Sequence, residues 1–316
     1  MGPGELVVAL ARAIRAEVRP RLGHDRQVVG TTASGDATFA LDHVAEAAAE
    51  RFIGQSGLTV AVYSEDRGLV GPAGAEYLLV IDPIDGTRPA KAGLECCCVS
   101  VALARNVPGA TLADVTHAAV YEIKSDRLFV AERGGGVRIL EQGVSVEPAP
   151  SSRPAAAGAA LSVEITGRPI LPLAVALEEV IDGASLTGGV FTFASTTFAL
   201  TRLVTGQLDA HLDMADRLRR DFPALDSRVR QAGRGVPIAL FVYDLAAVIL
   251  IAEEAGLVVT DAYGESLDAV PLTEVSLPWH RSLVAAGNAA LHADLMNHLE
   301  RGWRRVATFD WEADHV

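Results

Sequence analysis

The segment YLLVIDPIDGTRPAK, Tyr77 to Lys91, decides how this chain is read. Its apolar start, Tyr77–Ile81, runs straight into Asp82-Pro83-Ile84-Asp85-Gly86-Thr87. Such a run has the character of a buried strand. That strand delivers two carboxylates at its C-terminal end, where a chain reversal begins. Pro83 stiffens the backbone and Gly86 permits a tight turn. Two aspartates three apart across such a turn can converge on one point. Left alone, they would repel each other at a partly buried position. A divalent cation removes that cost. An oxygen-only ligand set with no His or Cys points to Mg²⁺ ahead of Mn²⁺ or Ca²⁺.

Two further acidic points lie elsewhere in the chain. Tyr63-Ser64-Glu65-Asp66 follows directly on a second strand-like run, and Tyr243-Asp244-Leu245-Ala246-Ala247 opens a long apolar helix. Each has an ordinary explanation by itself. An Asp at a helix start is a cap, and an isolated Ser-Glu-Asp is a turn. Their combination with Asp82 and Asp85 carries the chemistry.

Outward from these points the pattern alternates. Apolar positions at helical spacing mark Glu5–Val18, with Pro20 as a stop, and Thr38–Ile53. Short runs with strand character follow at Thr59–Tyr63, Tyr77–Ile81, Cys96–Ala104, His117–Tyr121 and Arg127–Ala131. The Pro-, Ser- and Ala-rich stretch Glu147–Gly158 divides the chain into halves at 1–150 and 151–316. After it, helix candidates at Leu171–Ile181, Thr196–Thr205, Leu245–Ala255 and Ala290–Arg301 interleave with strands at Val190–Phe193, Leu208–Leu212, Leu257–Thr260 and Leu283–Ala286. The class is α/β. The arginine-rich stretch Asp216–Pro237 has no clear period and reads as an insertion or lid-like loop. It is either a solvated excursion or a source of cations, Arg217, Arg219 or Arg220, for an anionic ligand.

Composition excludes several classes. Forty acidic residues against 27 basic give a net charge of −13, which repels a nucleic-acid polymer. A small anion can still bind where cations neutralise the site locally. The N-terminal stretch reads as an amphipathic helix and not a signal peptide, and no apolar run reaches membrane-spanning length. The three cysteines, Cys96, Cys97 and Cys98, are adjacent. Successive strand residues point to opposite faces, so these read as small buried hydrophobes in a reducing cytoplasm. No phosphate-cradling Gly-rich motif follows a strand, which disfavours a nucleotide-binding domain.

Five pieces together resemble the inositol monophosphatase family, within the magnesium-dependent phosphatases that include fructose-1,6-bisphosphatases. They are GDATFALD (35–42), YSED (63–66), VIDPIDGT (80–87), ASTTFALTRLVTGQLDAHLDM (194–214) and YDLAAVILIAEEAGLVVTDAYG (243–264). The resemblance implies an α+β layered sandwich, αβαβα, with the site between the halves, and a homodimer. It implies a phosphoric monoester hydrolase acting on a small sugar or cyclitol phosphate. Glu65, Asp82 and the Ile84 carbonyl would hold one Mg²⁺; Asp82, Asp85 and Asp244 a second; a third ion would lie near Glu65, with Mn²⁺ as a substitute. Thr87 would orient the attacking water, with Glu65 and Asp42 nearby. Gly86 and Thr87 would offer N–H groups to the phosphate. Ala194, Ser195 and Thr196 would line the sugar side, and Asp213 would accept hydrogen bonds from substrate hydroxyls.

The chain also departs from the family. Arg88-Pro89-Ala90-Lys91 stands where many members carry an Asn-Phe pair. Arg88 and Lys91 either bind a second phosphate or face water. The Asp216–Pro237 stretch separates Asp213 from Asp244 more widely than usual. These differences leave the exact ester open among inositol-1-phosphate, fructose-1,6-bisphosphate, another sugar phosphate and a phosphonucleotide. A scaffold that has lost catalysis is the alternative from a different class.

Overall fold

A computed structural model of the chain describes residues 1–24, 27–31, 37–72, 74–274 and 276–311. The first half runs α1 (Pro3–Val18), β1 (Val28–Thr31), β2 (Ala37–Phe39), α2 (Ala40–Ser56), β3 (Val60–Ser64), β4 (Gly68–Val70), β5 (Tyr77–Asp85), α3 (Thr87–Ala92), β6 (Cys98–Arg105), β7 (Val115–Glu122), β8 (Arg127–Glu132), β9 (Gly136–Glu141) and β10 (Val144–Val146). The second half adds β11 (Ala160–Val163), α4 (Ile170–Ser185), β12 (Gly189–Phe191), α5 (Thr196–Val204), β13 (Ala210–Asp213), α6 (Ala215–Asp221), α7 (Asp226–Ala232), α8 (Val242–Glu254), β14 (Val258–Thr260), β15 (Leu283–Ala286) and α9 (Ala289–Thr308).

Strands β3 to β10 form one sheet in the order β10-β9-β8-β7-β6-β5-β3-β4, with β3 and β5 its one parallel pair. Alternation along β5 explains its burial on both faces. Leu79 and Ile81 join the cluster under α1 and α2, with Leu10, Ile14 and Leu41. Leu78 and Val80 join the opposite cluster, which includes Leu245 and Val248 of α8 and Leu200 of α5. Cys97 and Cys98 divide between the same two faces. All three cysteines are free thiols.

The second sheet, β12-β11-β13-β15-β14, mixes parallel and antiparallel pairs. Its outer face packs on α4 and α9 through Leu173, Leu177, Leu295 and Leu299. The layers are therefore helices, eight-stranded sheet, helices, five-stranded sheet, helices, an αβαβα sandwich. The central helical layer, α5 and α8, comes from the second half of the sequence and packs on the sheet of the first. That layer brings the two halves' carboxylates together.

The arginine-rich stretch 216–237 is not a loop. It is mostly the short helices α6 and α7, anchored by buried Leu218, Leu225 and Val229. Pairs at helical spacing, Arg217–Asp221, Arg220–Asp216 and Arg230–Asp226, support these turns. Seven-residue helices are too short to declare a period.

Candidate active site

The turn after β5 is built by its own backbone. The Ile84 N–H donates to Asp82 Oδ1 at 3.0 Å, and the Thr87 hydroxyl donates to the Ile84 carbonyl at 3.1 Å. Gly86 has φ +88°, and a Cβ there would lie 2.4 Å from the Cys96 carbonyl oxygen. Only glycine fits this backbone approach. Asp82 and Asp85 are both buried.

Two segments of the second half close on this turn. Asp244 is the third residue of α8, and its Oδ2 accepts the Phe241 N–H at 2.8 Å. The cap reading of this aspartate therefore holds, and its other oxygen remains for a ligand. Ser195 caps α5 by accepting the Phe198 N–H at 3.1 Å, and the Thr197 N–H donates to Asp85 Oδ2 at 2.5 Å. Asp82, Asp85 and Asp244 each place an oxygen within 4.8 Å of the others.

Such crowding is electrostatically costly. Burial first, then Asp85, Glu65 and Asp244, hold the Asp82 carboxyl well above the ordinary aspartate range. Burial, followed by the charge of Asp85, raises Asp244 in the same way. Burial pushes Asp85 up to about 6, although hydrogen bonds from Thr197 and Ser195 pull it down. Among the described residues no cation forms an ion pair with Asp82, Asp85 or Asp244. A set of two buried and one half-buried, mutually repelling carboxylates with all-oxygen donors fits a hard divalent cation.

The three aspartates open into a cleft with about 600 Å³ of empty space. Glu65, Gly86, Thr87 and Arg88 line it from the first half, and Glu164, Thr166, Arg168 and Ala194–Thr196 from the second. Ile238–Phe241 and Tyr243 supply an apolar flank. Behind Glu65 lies a smaller acidic pocket of about 210 Å³, bordered by Asp42, Glu46, Asp66 and Asp82. Burial pushes the Glu46 carboxyl up there. Asp42 accepts the Phe39 N–H at 2.7 Å at the start of α2.

The sequence profile of the inositol monophosphatase family matches residues 5–304. The chain belongs to the inositol monophosphatase family. It is 28% identical to a fructose-1,6-bisphosphatase/inositol-1-monophosphatase of Methanothermobacter thermautotrophicus, covering 93% of this chain and 95% of that one. Among solved structures, the extragenic suppressor protein suhB of Bartonella henselae superposes with TM-score 0.70 at 20% identity, over 94% of this chain and 98% of that one. An inositol monophosphatase of Thermotoga maritima gives 0.68 at 16%, over 96% and 98%. Members of the inositol monophosphatase family are metal-dependent phosphatases, and this chain is placed among the phosphoric monoester hydrolases.

Other positions that the sequence offers for the site are arranged differently. Asp213 is fully buried at the end of β13. Its Oδ2 accepts from Arg168 at 2.5 Å and its Oδ1 accepts the Ala215 N–H at 2.9 Å, so neither oxygen turns to a ligand. Arg217, Arg219 and Arg220 do not line the cleft. Arg217 is buried between Tyr263 and Trp303 and donates to Glu300 and the Ala262 carbonyl. Arg219 and Arg220 are both paired with Asp216. Arg88 is exposed at the cleft rim, whereas Lys91 lies over the Phe39 ring at 3.9 Å to its centroid. Residues 35 and 36 of the GDATFALD piece lie outside the described residues.

Sequence reading missed Glu164, Thr166 and Arg168. The signal was available. Ala160–Val163 is a strand that ends in Glu164, the same strand-then-carboxylate order that marks β5. Its four residues adjoin a Pro- and Ala-rich linker, which masked them.

Proposed function

We propose that this protein is an Mg²⁺-dependent phosphatase that hydrolyses a phosphate monoester of a small sugar or cyclitol. The observation that supports it most is the meeting of Asp82 and Asp85 with Asp244, drawn from segments about 160 residues apart, at one face of a cleft. Asp82, Asp85, Asp244 and Glu65 would hold the ions, with the Ile84 carbonyl beside them. Bound ions would supply Lewis acidity to the phosphoryl oxygens, lower the attacking water's pKa and neutralise the leaving alkoxide.

The chain's own groups would do the rest. The Gly86 and Thr87 N–H groups, at the start of α3, would donate to a phosphoryl oxygen. Thr87 keeps its hydroxyl at the Ile84 carbonyl, close enough to position a water. Glu65 borders both the cleft and the smaller pocket, so it can accept that water's proton while Asp42 shapes the pocket behind it. Ala194, Ser195 and Thr196 would face the alcohol. No covalent nucleophile is required. The acidic charge disfavours nucleic acid, and no helix among the described residues is long and apolar enough to cross a membrane. A cytoplasmic homodimer is part of the proposal.

The test is phosphate release from a panel of esters, with Mg²⁺ and after chelation. The panel includes inositol-1-phosphate, fructose-1,6-bisphosphate, a phosphonucleotide and p-nitrophenyl phosphate. Magnesium-dependent release from the polyol esters is the expected result. No release from any ester, or full release after chelation, would sink the reading.

A further inference from the structure

The second-half wall of the cleft carries a carboxylate that the mechanism above leaves unused. Glu164 follows β11 directly, lines the cleft and is 5% exposed. Its Oε1 accepts the Thr166 N–H at 2.7 Å. Among the described residues no donor engages the other oxygen. That oxygen is also absent from the fully enclosed polar atoms without a partner. Glu164 lines the cleft, which leaves this oxygen for a ligand there.

Asp213, the residue that the family pattern offers for this task, has both oxygens engaged inside the protein. Arg168 links the two carboxylates electrostatically. Its guanidinium donates to Asp213 and to the Thr166 carbonyl, and the charges of Asp213 and Glu164 both favour its protonated form. Asp213 thus acts as an inner counter-ion, Arg168 as the bridge, and Glu164 as the end that meets the cleft.

We infer that Glu164, and not Asp213, is the specificity-determining acceptor for the hydroxyl groups of the substrate's alcohol part. The inference rests on the phosphatase reading above. An ionised carboxylate is acceptor-only, so it selects O–H donors. An ester without a hydroxyl there would leave a desolvated oxygen unpaired, which is heavily penalised. The same charge, beside Asp85, disfavours a second phosphate against this wall. Arg168 and Asp213 are positioning residues for Glu164.

The test couples an isosteric variant to deletion of substrate hydroxyls. Steady-state kinetics with Mg²⁺ compare wild type and Glu164→Gln on inositol-1-phosphate, its monodeoxy analogues and p-nitrophenyl phosphate. In wild type, removing one particular hydroxyl should lower kcat/KM at least tenfold, mainly through KM. In E164Q, the same removal should cost less than threefold. The preference for the polyol ester over p-nitrophenyl phosphate should fall at least tenfold. Equal loss on every ester in E164Q, or an undiminished hydroxyl effect, would overturn the inference. Wild type alone keeps it testable if E164Q does not fold, because equal turnover of every deoxy analogue also overturns it. No turnover of any ester by wild type refutes the phosphatase reading instead.

Discussion

Replacing Asp85 with Asn should stabilise the metal-free protein while destroying its use of metal. The structure supplies both signs. Asparagine keeps the shape and can still accept the Thr197 N–H that Asp85 Oδ2 receives. What it removes is one charge from a crowded trio, two of them buried. Burial raises the Asp85 pKa from 3.8 to about 6. A carboxyl with a raised folded pKa gives stability that is complete below its unfolded pKa and is lost as pH rises through the folded value. Without metal, wild type should therefore weaken between about pH 4 and pH 7. A shift of roughly two pK units corresponds to about 3 kcal/mol at pH 8, as an upper bound for a coupled group. At roughly 1–2 °C per kcal/mol for a chain of this size, metal-free D85N should melt about 3–6 °C higher at pH 8. The two proteins should converge near pH 4. Saturating Mg²⁺ should raise the wild-type Tm, increasingly so above pH 6, and move D85N far less. Phosphatase activity in D85N should fall about 10²–10³-fold or more. Differential scanning fluorimetry across pH, with Mg²⁺ and with chelator, reads all of this. A metal-free D85N that melts below wild type at pH 8, or an equal response of both proteins to Mg²⁺, would refute the reasoning.

Gly86→Ala forces a Cβ to 2.4 Å from the Cys96 carbonyl at a left-handed φ, so a loss of about 2–4 kcal/mol and collapse of turnover are expected in denaturant melts and phosphate-release assays. Arg217→Ala removes a buried guanidinium from Glu300 and from between Tyr263 and Trp303. It should cost about 2–4 kcal/mol of stability with KM for every ester within twofold of wild type, and a selective KM rise would return this arginine to the cleft. Glu122 and Arg202 form a buried pair between β7 and α5. Glu122→Gln alone should cost about 3 kcal/mol, and the double change with Arg202→Met should recover at least half of it in urea melts.

Much of the first sheet is legible in the sequence because its strands are long and buried on both sides, so Tyr77–Ile81 and Cys96–Ala104 announce themselves as apolar runs, the second strand itself starting at Cys98. The clustered carboxylates Asp82, Asp85 and Asp244 are legible for a related reason: each follows a strand or opens a helix, where side chains must point out of the layer. Strands β9 and β10 were missed because at the sheet's outer edge they bury only Ile139. The α6–α7 pair reads as a loop in sequence because two helices of seven residues hide a period behind five arginines. Asp213 shows where sequence motifs stop. Position in a motif gives its place on β13, but the engagement of its Oδ2 depends on Arg168, 45 residues earlier in sequence.

The middle layer of helices has a consequence for how the protein is made. Synthesis proceeds from the N-terminus, so the eight-stranded sheet emerges with Asp82 and Asp85 already on its end while α8 is still untranslated. Until residues 242–254 arrive, one face of that sheet lacks its principal cover and the nascent pair of aspartates lacks its third companion. On the proposed function, ion binding is thus postponed until α8 is in place. A cell would meet this hydrolase either as an inert, sticky intermediate or as the finished article, with little opportunity for a half-built version that cleaves esters.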